Sequence, residues 1–568
     1  MKRFLNGLLA VSGLLLAVSC ADYNDLGGYS ADPDPSYKLD YTDLNAVKSY
    51  INKNDYPNMT VDAAIKLKEF NKQAFEHAVA VTNFNGVAFG SSFMPANYVS
   101  KKGYMNFMDL KDALGHTSAI GCEVYGSPIV GNEQQSDEWF GALTAPIEVQ
   151  VLPINDMDVN YATMDEFTGT SLRGNPSIVK NFDSNGNALM VPKRSKPYIV
   201  EGFDLDPLGF YTVTFTVRTE ESMKDDENIR CTFADSLVNT GKDKEGNLIP
   251  KQFTIRAGGW QTVKVEWVPA KAATQGYLMI EGNLKSALYI RNVHVEHTPD
   301  NHRPQTKQEM NDTIQYALNK WCNGLMEANA GRIKSFDLIE KPLDDKAEIE
   351  AGILDLKHST DKIFWQDYLE TGTKTGSELY GATVSKVAKD AFVKHGGNAE
   401  ELKFFINEKG LEDQKRLESL KYWMKKWEDN GAQIDGINAE LNLTYVENAD
   451  NETAVNTLLD NLAKTGKLIR LSNFDVKYQD ADGNAVTADK ITTEQRQKLA
   501  DFHAFFIKAY MTKIPKEKQA GLCKGNIFDL SNGSGDPVGL WSKATNGDWL
   551  RNATYKAFCD ALSGKETN

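Results

Sequence analysis

The stretch RIKSFDLIEKPLDD, Arg332–Asp345, predicts the architecture of the chain. Phe336–Ile339 is a short apolar run with one polar residue, Asp337, inside it, which is typical of a buried parallel strand. The sequence EKP, Glu340–Pro342, then ends the run abruptly. In α/β barrels the chemistry lies where the strands end at the carboxyl edge. We therefore expect the residues directly after this strand to lie at a functional face.

Length and composition are those of a globular protein. The chain has 568 residues, which predicts two to four domains or a large barrel with one more domain. The 63 Lys and Arg residues against 78 Asp and Glu residues give a net charge of −15. Nucleic acid needs a basic surface, so this balance argues against it and suits a neutral polysaccharide. The 22 Tyr, 26 Phe and 9 Trp residues supply rings that can stack on sugars, although most aromatic rings lie in cores.

The first residues have the pattern of a processing signal. A basic pair precedes the apolar stretch Leu5–Val18, which is too short for a stable membrane span. Residues 1–19 resemble a bacterial lipoprotein signal peptide, and Cys20 the lipidated cysteine; the alternative is an ordinary secretory signal with an incidental cysteine. Residues 20–58 are rich in Asp, Gly, Pro and Ser and read as a tether. Asp22 and Asp25 resemble the surface-export signals of Bacteroidetes lipoproteins. We expect a cell-surface protein of the outer membrane, with a lipid anchor as its only membrane attachment.

The other cysteines predict no metal or disulfide framework. Five remain after Cys20, an odd number, and no pair has the C-x-x-C spacing of a zinc site. We expect buried free thiols, and neither a metal nor a cofactor.

The periodicity of apolar residues divides the chain. Residues 59–145 and 299–568 alternate between helical and strand patterns, with Thr60–Thr82 predicted as helix. Residues 146–298 instead carry strands of period two, separated by turn signals such as Asn185-Gly186. The predicted strands of this insert are Ile147–Leu152, Tyr198–Phe203, Tyr211–Arg218, Ile229–Phe233, Gln261–Trp267, Gly276–Glu281 and Ala287–His297. The predicted fold class is α/β: a (β/α)8 TIM barrel interrupted by an inserted all-β jelly-roll sandwich.

The opening stretch resembles the acid/base strand of glycoside hydrolase family 10, the endo-β-1,4-xylanases, whose motif is W-D-V-V-N-E-A/P-[IL]-x-D. Aligned without a gap, Glu340 falls on the Asn and Lys341 on the catalytic Glu. A slip of one residue would instead place Glu340 in the acid/base role. Pro342 and the residues after it fit the family without a gap, which favours the first alignment.

Two later stretches resemble the family's other site strands. LIRLSNFDVKY, Leu468–Tyr478, resembles the nucleophile strand I-R-[IV]-T-E-L-D-V and carries Asn473 at the nucleophile. GINAELNL, Gly436–Leu443, resembles G-I-G-x-Q-x-H-[IL], with Glu440 for the Gln and Asn442 for the His.

Residues that line the family's cleft differ as well. Ile120–Phe140 keeps Gln134 of V-x-G-H-T-L-V-W-H-x-Q-x-P-x-W but has Ser127, Gly131 and Asn132 where the family has His, Trp and His. Gly525 replaces a second tryptophan. In the insert, the end of the predicted sandwich resembles xylan-binding carbohydrate-binding modules.

The resemblance implies a polysaccharide-binding lipoprotein on a barrel that has lost its chemistry. A retaining glycosidase needs two opposed carboxyl groups, and Lys341 and Asn473 supply neither. The implied ligand is a β-1,4-linked polysaccharide such as xylan, and outer-membrane glycan-uptake proteins are implied partners. The alternatives are a working endo-xylanase that uses Glu340 and Glu440, and a scaffold protein that binds no sugar. The predicted carbohydrate-binding residues are Trp260, Tyr211, Phe210 and Tyr289 in the insert, and Trp541, Asn442 and Gln134 in the barrel.

Overall fold

The structure is a computed structural model. It describes residues 41, 43–222, 229–233, 236–237, 239–242, 248–250, 252–253, 255–267, 274–282, 286–530, 535–544 and 547–564. The signal peptide, the lipidation position Cys20 and part of the tether lie outside these residues, so they stay predictions. The described chain divides into two compact units, one of residues up to Thr144 and from Thr306, the other of Ala145–Gln305. None of the described helices is long and apolar enough to cross a membrane.

The first unit is an α/β barrel, as predicted. Its described part has eight parallel barrel strands: β1 Val61–Ala64, β2 Gly86–Ala88, β3 Glu123–Tyr125, β4 Ser335–Glu340, β5 Lys403–Lys409, β6 Gly436–Glu440, β7 Leu468–Ser472 and β8 Gln519–Lys524. The sheet runs from β3 through β2, β1, β8, β7, β6 and β5 to β4. The helices are α1 Leu67–Asn71, α2 Phe75–Asn83, α3 Met108–Ile120, α4 Asp137–Leu143, α5 Lys307–Asn329, α6 Gly376–Lys394, α7 Gln414–Asp429, α8 Glu452–Ala463, α9 Thr493–Lys513 and α10 Ala553–Leu562.

A close backbone approach at Gly126 closes the barrel between β3 and β4. Gly126 bridges Phe336 in parallel, and its N–H donates to the Ser335 carbonyl at 2.8 Å. A Cβ at position 126 would lie 2.2 Å from the Phe336 ring, so only glycine fits there. The short strand Val130–Gly131 continues the pairing along the end of β4.

One prediction within the barrel was wrong. The helical spacing predicted over Thr60–Thr82 hides β1, which occupies Val61–Ala64. The sequence VDAA is too short to show a period of its own, and its apolar residues fit the helical pattern that follows. Asp62 is buried inside the barrel, where it forms an ion pair with Arg470. The two residues are far apart in the chain, so no local sequence pattern predicts this contact.

The second unit is an antiparallel β-sandwich. One sheet orders strands Gln261–Trp267, Phe210–Thr219, Leu288–Thr298, Gly186–Val191 and Ser177–Asp183, with Ile154–Asn160 also paired to Leu288–Thr298. The other orders Ser236–Leu237, Ile229–Phe233, Gln275–Gly282 and Tyr198–Asp204, with Gln252–Phe253 also paired to Ile229–Phe233. Their facing side chains form one core, which includes Phe215, Leu278 and Ile290. The strands that the sequence missed include Ile154–Asn160, Ser177–Asp183 and Gly186–Val191. The first two are largely solvent-exposed and lack clean alternation.

Candidate functional site

Lys341 lies between two carboxylates at the carboxyl edge of the barrel. Its Nζ is 2.9 Å from Oε2 of Glu440, the last residue of β6, and 3.6 Å from Oε1 of Glu340, the last residue of β4. All three side chains are mostly buried. The two carboxylates that the sequence offered as an alternative catalytic pair are therefore joined through one cation.

Burial and charge both act on this cluster. Burial raises the pKa of Glu340; the Lys341 charge opposes that rise, and Glu440 and Glu133 add to it. Burial alone would lower the pKa of Lys341, but Glu440, helped by Glu340 and Glu133, raises it above its usual value. Lys341 is therefore an ammonium at neutral pH, and it cannot donate a proton there as a neutral acid would.

The residues after β4 and β7 share an uncommon backbone conformation. Lys341 has φ of 43° and Asn473 has φ of 52°, both in the left-handed region. Asparagine tolerates this region, whereas for lysine it is rare and strained. The Lys341 N–H donates to the Asn407 carbonyl at 2.8 Å, and the Asn473 amide donates to the Leu441 carbonyl at 3.2 Å. These bonds hold the two turns in place.

Asn473 packs against a position that only glycine can occupy. A Cβ at Gly525 would lie 2.5 Å from Oδ1 of Asn473 and 2.7 Å from Oδ2 of Asp475. Asp475 accepts the Asn526 backbone N–H at 3.0 Å and is paired with the buried Lys524 ammonium. Asp475 is thus held by contacts within the protein. The asparagine at 473 and the glycine at 525 fit each other sterically.

The space beside Gly131 is filled by two neighbours. A Cβ at Gly131 would lie 3.1 Å from Cε of Met94 and 3.2 Å from Cβ of Glu340. A tryptophan, which the family resemblance puts at this position, would require both side chains to move. Glu340 and Met94 therefore occupy part of the space that the tryptophan of the family motif would fill.

Several buried polar side chains near these strand ends retain unused hydrogen-bonding capacity. Ser127 Oγ, Asn132 Nδ2 and Asn407 Oδ1 bond no other described residue. Asn407 is the parallel-strand partner of Glu340 on one side of β4. Gly131, the neighbour of Asn132 in the chain, is the partner of Glu340 on the other side. Buried polar atoms of this kind bond water or a ligand. The sequence marked Ser127 and Asn132 as altered family positions but did not name them, or Asn407, as binding residues.

Beneath the edge, a buried polar network crosses the barrel interior. Tyr125 donates its hydroxyl to Oδ1 of Asp337 at 2.7 Å, and Asn438 donates to both oxygens of that carboxylate. Arg470 lies 2.7 Å from the Asp62 carboxylate and 3.7 Å above the Tyr125 ring. Burial raises the pKa of Asp337 to about 7, although the Tyr125 and Asn438 hydrogen bonds oppose the rise. This network connects β1, β3, β4, β6 and β7 through side chains inside the barrel.

Of the predicted sugar-binding residues of the barrel, Gln134 and Asn442 are exposed. Gln134 donates its amide to the Ser91 hydroxyl at 3.1 Å. Trp541 is buried, with its ring 5.0 Å from that of Tyr555. A ring inside the core has no face free for a sugar, which corrects the assignment of Trp541.

In the insert, burial separates the four predicted aromatic residues. Tyr211 and Tyr289 are buried, so neither ring offers an open face and both assignments are corrected. Phe210 is 45% exposed. Trp260 is partly buried; its indole N–H donates to Asp183 at 2.9 Å, and the Arg291 guanidinium covers its ring at 4.2 Å. Phe210 and Trp260 remain as candidates.

Comparisons with known proteins agree with the barrel. Residues 294–514 match the family model described as glycosyl hydrolase family 10. Penicillium canescens endo-1,4-beta-xylanase XylE is similar in structure, with a TM-score of 0.50, 11% identity, and coverage of 92% of this chain and 98% of that one. Xylanase B from Clostridium stercorarium F9 gives a TM-score of 0.49, 12% identity, and coverage of 91% and 100%. No curated protein sequence matches the chain. Residues 294–514 are thus similar to glycosyl hydrolase family 10, and the first unit has a TIM-barrel fold.

Proposed function

We propose that this chain is a cell-surface lipoprotein that binds xylan-type β-1,4-linked polysaccharide and does not hydrolyse it. One observation carries the proposal: the Lys341 ammonium stands in an ion pair between Glu340 and Glu440, where a hydrolase needs a protonated carboxyl. Asn473 adds to it, since an amide forms no glycosyl-enzyme at a useful rate. Removal of a nucleophile alone costs about 10⁴-fold or more in rate in other covalent enzymes.

Binding needs only what the edge of the barrel retains. Charged side chains at the strand ends offer donors and acceptors for sugar hydroxyls, among them Lys341 and Glu440. In the insert, Phe210 and Trp260 offer the rings that remain. Lipidation at Cys20 would hold the chain at the outer membrane, where glycan-uptake proteins are the proposed partners.

The binding test is affinity electrophoresis of the full chain in gels that contain xylan, with calorimetry on xylohexaose. We expect retarded migration for the unaltered chain. Trp260→Phe keeps the ring but removes the N–H that Asp183 accepts, and Trp260→Ala removes both. Tyr104→Ala changes an exposed aromatic residue of the barrel and serves as the control. Unretarded migration of the unaltered chain would refute the proposal.

A second function, hydrolysis by displaced carboxylates, is favoured by one specific observation. Glu340 and Glu440 both reach the same ammonium, and burial raises the pKa of Glu340 in the direction that a general acid requires. Release of reducing sugar from xylan tests it. Activity that disappears in Glu340→Gln but persists in Glu138→Gln, an exposed carboxyl on α4, would establish hydrolysis and overturn the binding-only proposal.

The lipid anchor has its own test. Cys20→Ser should move the protein from the membrane fraction to the soluble fraction of the producing cells and abolish labelling by radioactive palmitate. Labelling that survives this substitution would refute Cys20 as the lipidation position.

A further inference from the structure

A cavity of about 430 Å³ opens between the ends of β1 and β8. Phe75, at the start of α2, Phe528, after β8, and Trp549, in the strand before α10, line it. The Phe75 and Phe528 ring centroids are 5.5 Å apart, and those of Phe528 and Trp549 are 4.7 Å apart. Phe75 is 43% exposed, which is high for a phenylalanine at a helix start. Aromatic walls around a concave site are common in pockets that bind small ligands.

The polar lining of this cavity consists of oxygen acceptors and one amide. Glu69, Glu76, Asn526 and Asp529 line it, and its lining residues include no lysine or arginine. Glu69 is 2.8 Å from the Lys72 ammonium, and Asp529 is 2.6 Å from Arg496, so two of the three carboxylates are already neutralised. An anionic ligand would be repelled, whereas a neutral polyol finds ring faces and acceptors together.

The cavity lies beside the candidate site. Gly525 lines the cavity, and the atom nearest to a Cβ built on it is Oδ1 of Asn473, at 2.5 Å. Gly525 therefore borders both the cavity and the residue after β7.

We propose that this cavity binds a neutral pyranose unit of the glycan, with Phe75 and Trp549 as its stacking faces. The proposal rests on the proposed glycan binding and adds a binding position to it. Phe528 packs between the other two rings and positions them. Glu76, the carboxylate without a charge partner among the ion pairs described, serves as an acceptor for a sugar hydroxyl.

The test is calorimetry with xylohexaose on the full chain and on three variants. Phe75→Ala and Trp549→Ala should each weaken binding about fivefold to tenfold, the loss expected for one stacked ring. Glu76→Gln keeps an acceptor oxygen, so it should change affinity less than about twofold. Tyr104→Ala is the matched control, an exposed ring away from the cavity lining. Thermal unfolding followed by circular dichroism checks that each variant folds. If Trp549→Ala fails to fold, the exposed Phe75 carries the test.

The outcomes separate this proposal from the one on which it rests. If Phe75→Ala and Trp549→Ala both bind xylohexaose as tightly as the unaltered chain does, the cavity site is refuted and glycan binding by the chain still stands. Unaltered chain that binds neither xylohexaose nor xylan would refute both. Tetramethylammonium that binds to the unaltered chain and is lost in Glu76→Gln would assign the cavity to an organic cation instead, because a cation needs the charge that glutamine lacks.

Discussion

Nζ of Lys341 lies 2.9 Å from Oε2 of Glu440, so a salt bridge connects the turn after β4 to the end of β6. Both side chains are mostly buried, and Glu340 lies on the other side of the ammonium. Removing one partner from such a cluster leaves buried charge without compensation, which costs more than the pair itself contributes. The cation is therefore a structural part of the edge of the barrel.

Lys341→Met should destabilise the chain by about 1–3 kcal/mol at pH 7.5 and by less at pH 4.5. The lost ammonium leaves the Glu340 and Glu440 carboxylates without compensation. Burial raises the pKa of Glu340, so this group takes up a proton at lower pH and the penalty falls. Urea unfolding at the two pH values measures this. Lys425→Met removes an exposed partner of Asp429 and should change stability by less than about 0.5 kcal/mol. A Lys341→Met loss that is equal at both pH values would contradict the argument.

Asp337→Asn should flatten the pH dependence of stability. The pKa of Asp337 is about 7 in the folded chain and is raised by burial from its ordinary value of 3.8. The folded state then holds the proton more tightly, so this group makes stability fall as pH rises from about 4 to about 7, by on the order of 4 kcal/mol. The asparagine cannot ionise, and Asn438, whose Oδ1 bonds no described residue, can turn to accept its amide.

The measurement is urea unfolding of both proteins at pH 4.5 and pH 7.5. The variant should gain stability relative to the unaltered chain as pH rises. Asp390→Asn, an exposed carboxyl on α6, is the control and should leave the pH dependence unchanged. Parallel curves for Asp337→Asn and the unaltered chain would show that Asp337 titrates normally.

Arg470→Met should cost about 3–5 kcal/mol of unfolding free energy, because it leaves Asp62 charged and unpaired inside the barrel. The two side chains are 1% and 3% exposed. Lys386→Met breaks a pair of similar length on α6, where the side chains are 76% and 66% exposed, and should cost less than about 0.5 kcal/mol. Guanidinium unfolding compares the two, and similar losses would refute the role assigned to the interior network.

Gly525→Ala should destabilise the chain by about 1–3 kcal/mol, since the added methyl group would lie 2.5 Å from Asn473 and 2.7 Å from Asp475. Gly141→Ala is the opposite case. Gly141 lies within α4, and a Cβ there meets no atom within 4 Å. The Gly141→Ala variant should therefore have an unfolding free energy about 0.5–1 kcal/mol higher than that of the unaltered chain. Thermal unfolding of both variants gives the comparison. A neutral Gly525→Ala would mean that Asn473 moves away freely.

Much of the barrel could be predicted from the sequence because its strands are locally apolar. The run Phe336–Ile339 lies within β4, and the stretches Gly436–Leu443 and Leu468–Tyr478 contain β6 and β7. β1 was missed because four residues show no period, and the outer strands of the sandwich because their exposed residues are not apolar. Exposure of single aromatic residues could not be predicted, since Tyr211 and Phe210 are adjacent in one strand and point to opposite faces.

The residue types at the ends of the strands can be read from the sequence alone: Lys341 and Glu340 follow one apolar run, Asn473 another, and Glu440 a third. The effect of these residues on each other depends on the tertiary structure. Closure of the barrel brings the ends of β4 and β6 together, so that Lys341 neutralises Glu440 rather than facing solvent. The same closure places Asn473 against Gly525 and opens a cavity beside it. Charge, burial and shape at a strand end are set by neighbours that are distant in the chain, and no local pattern contains them.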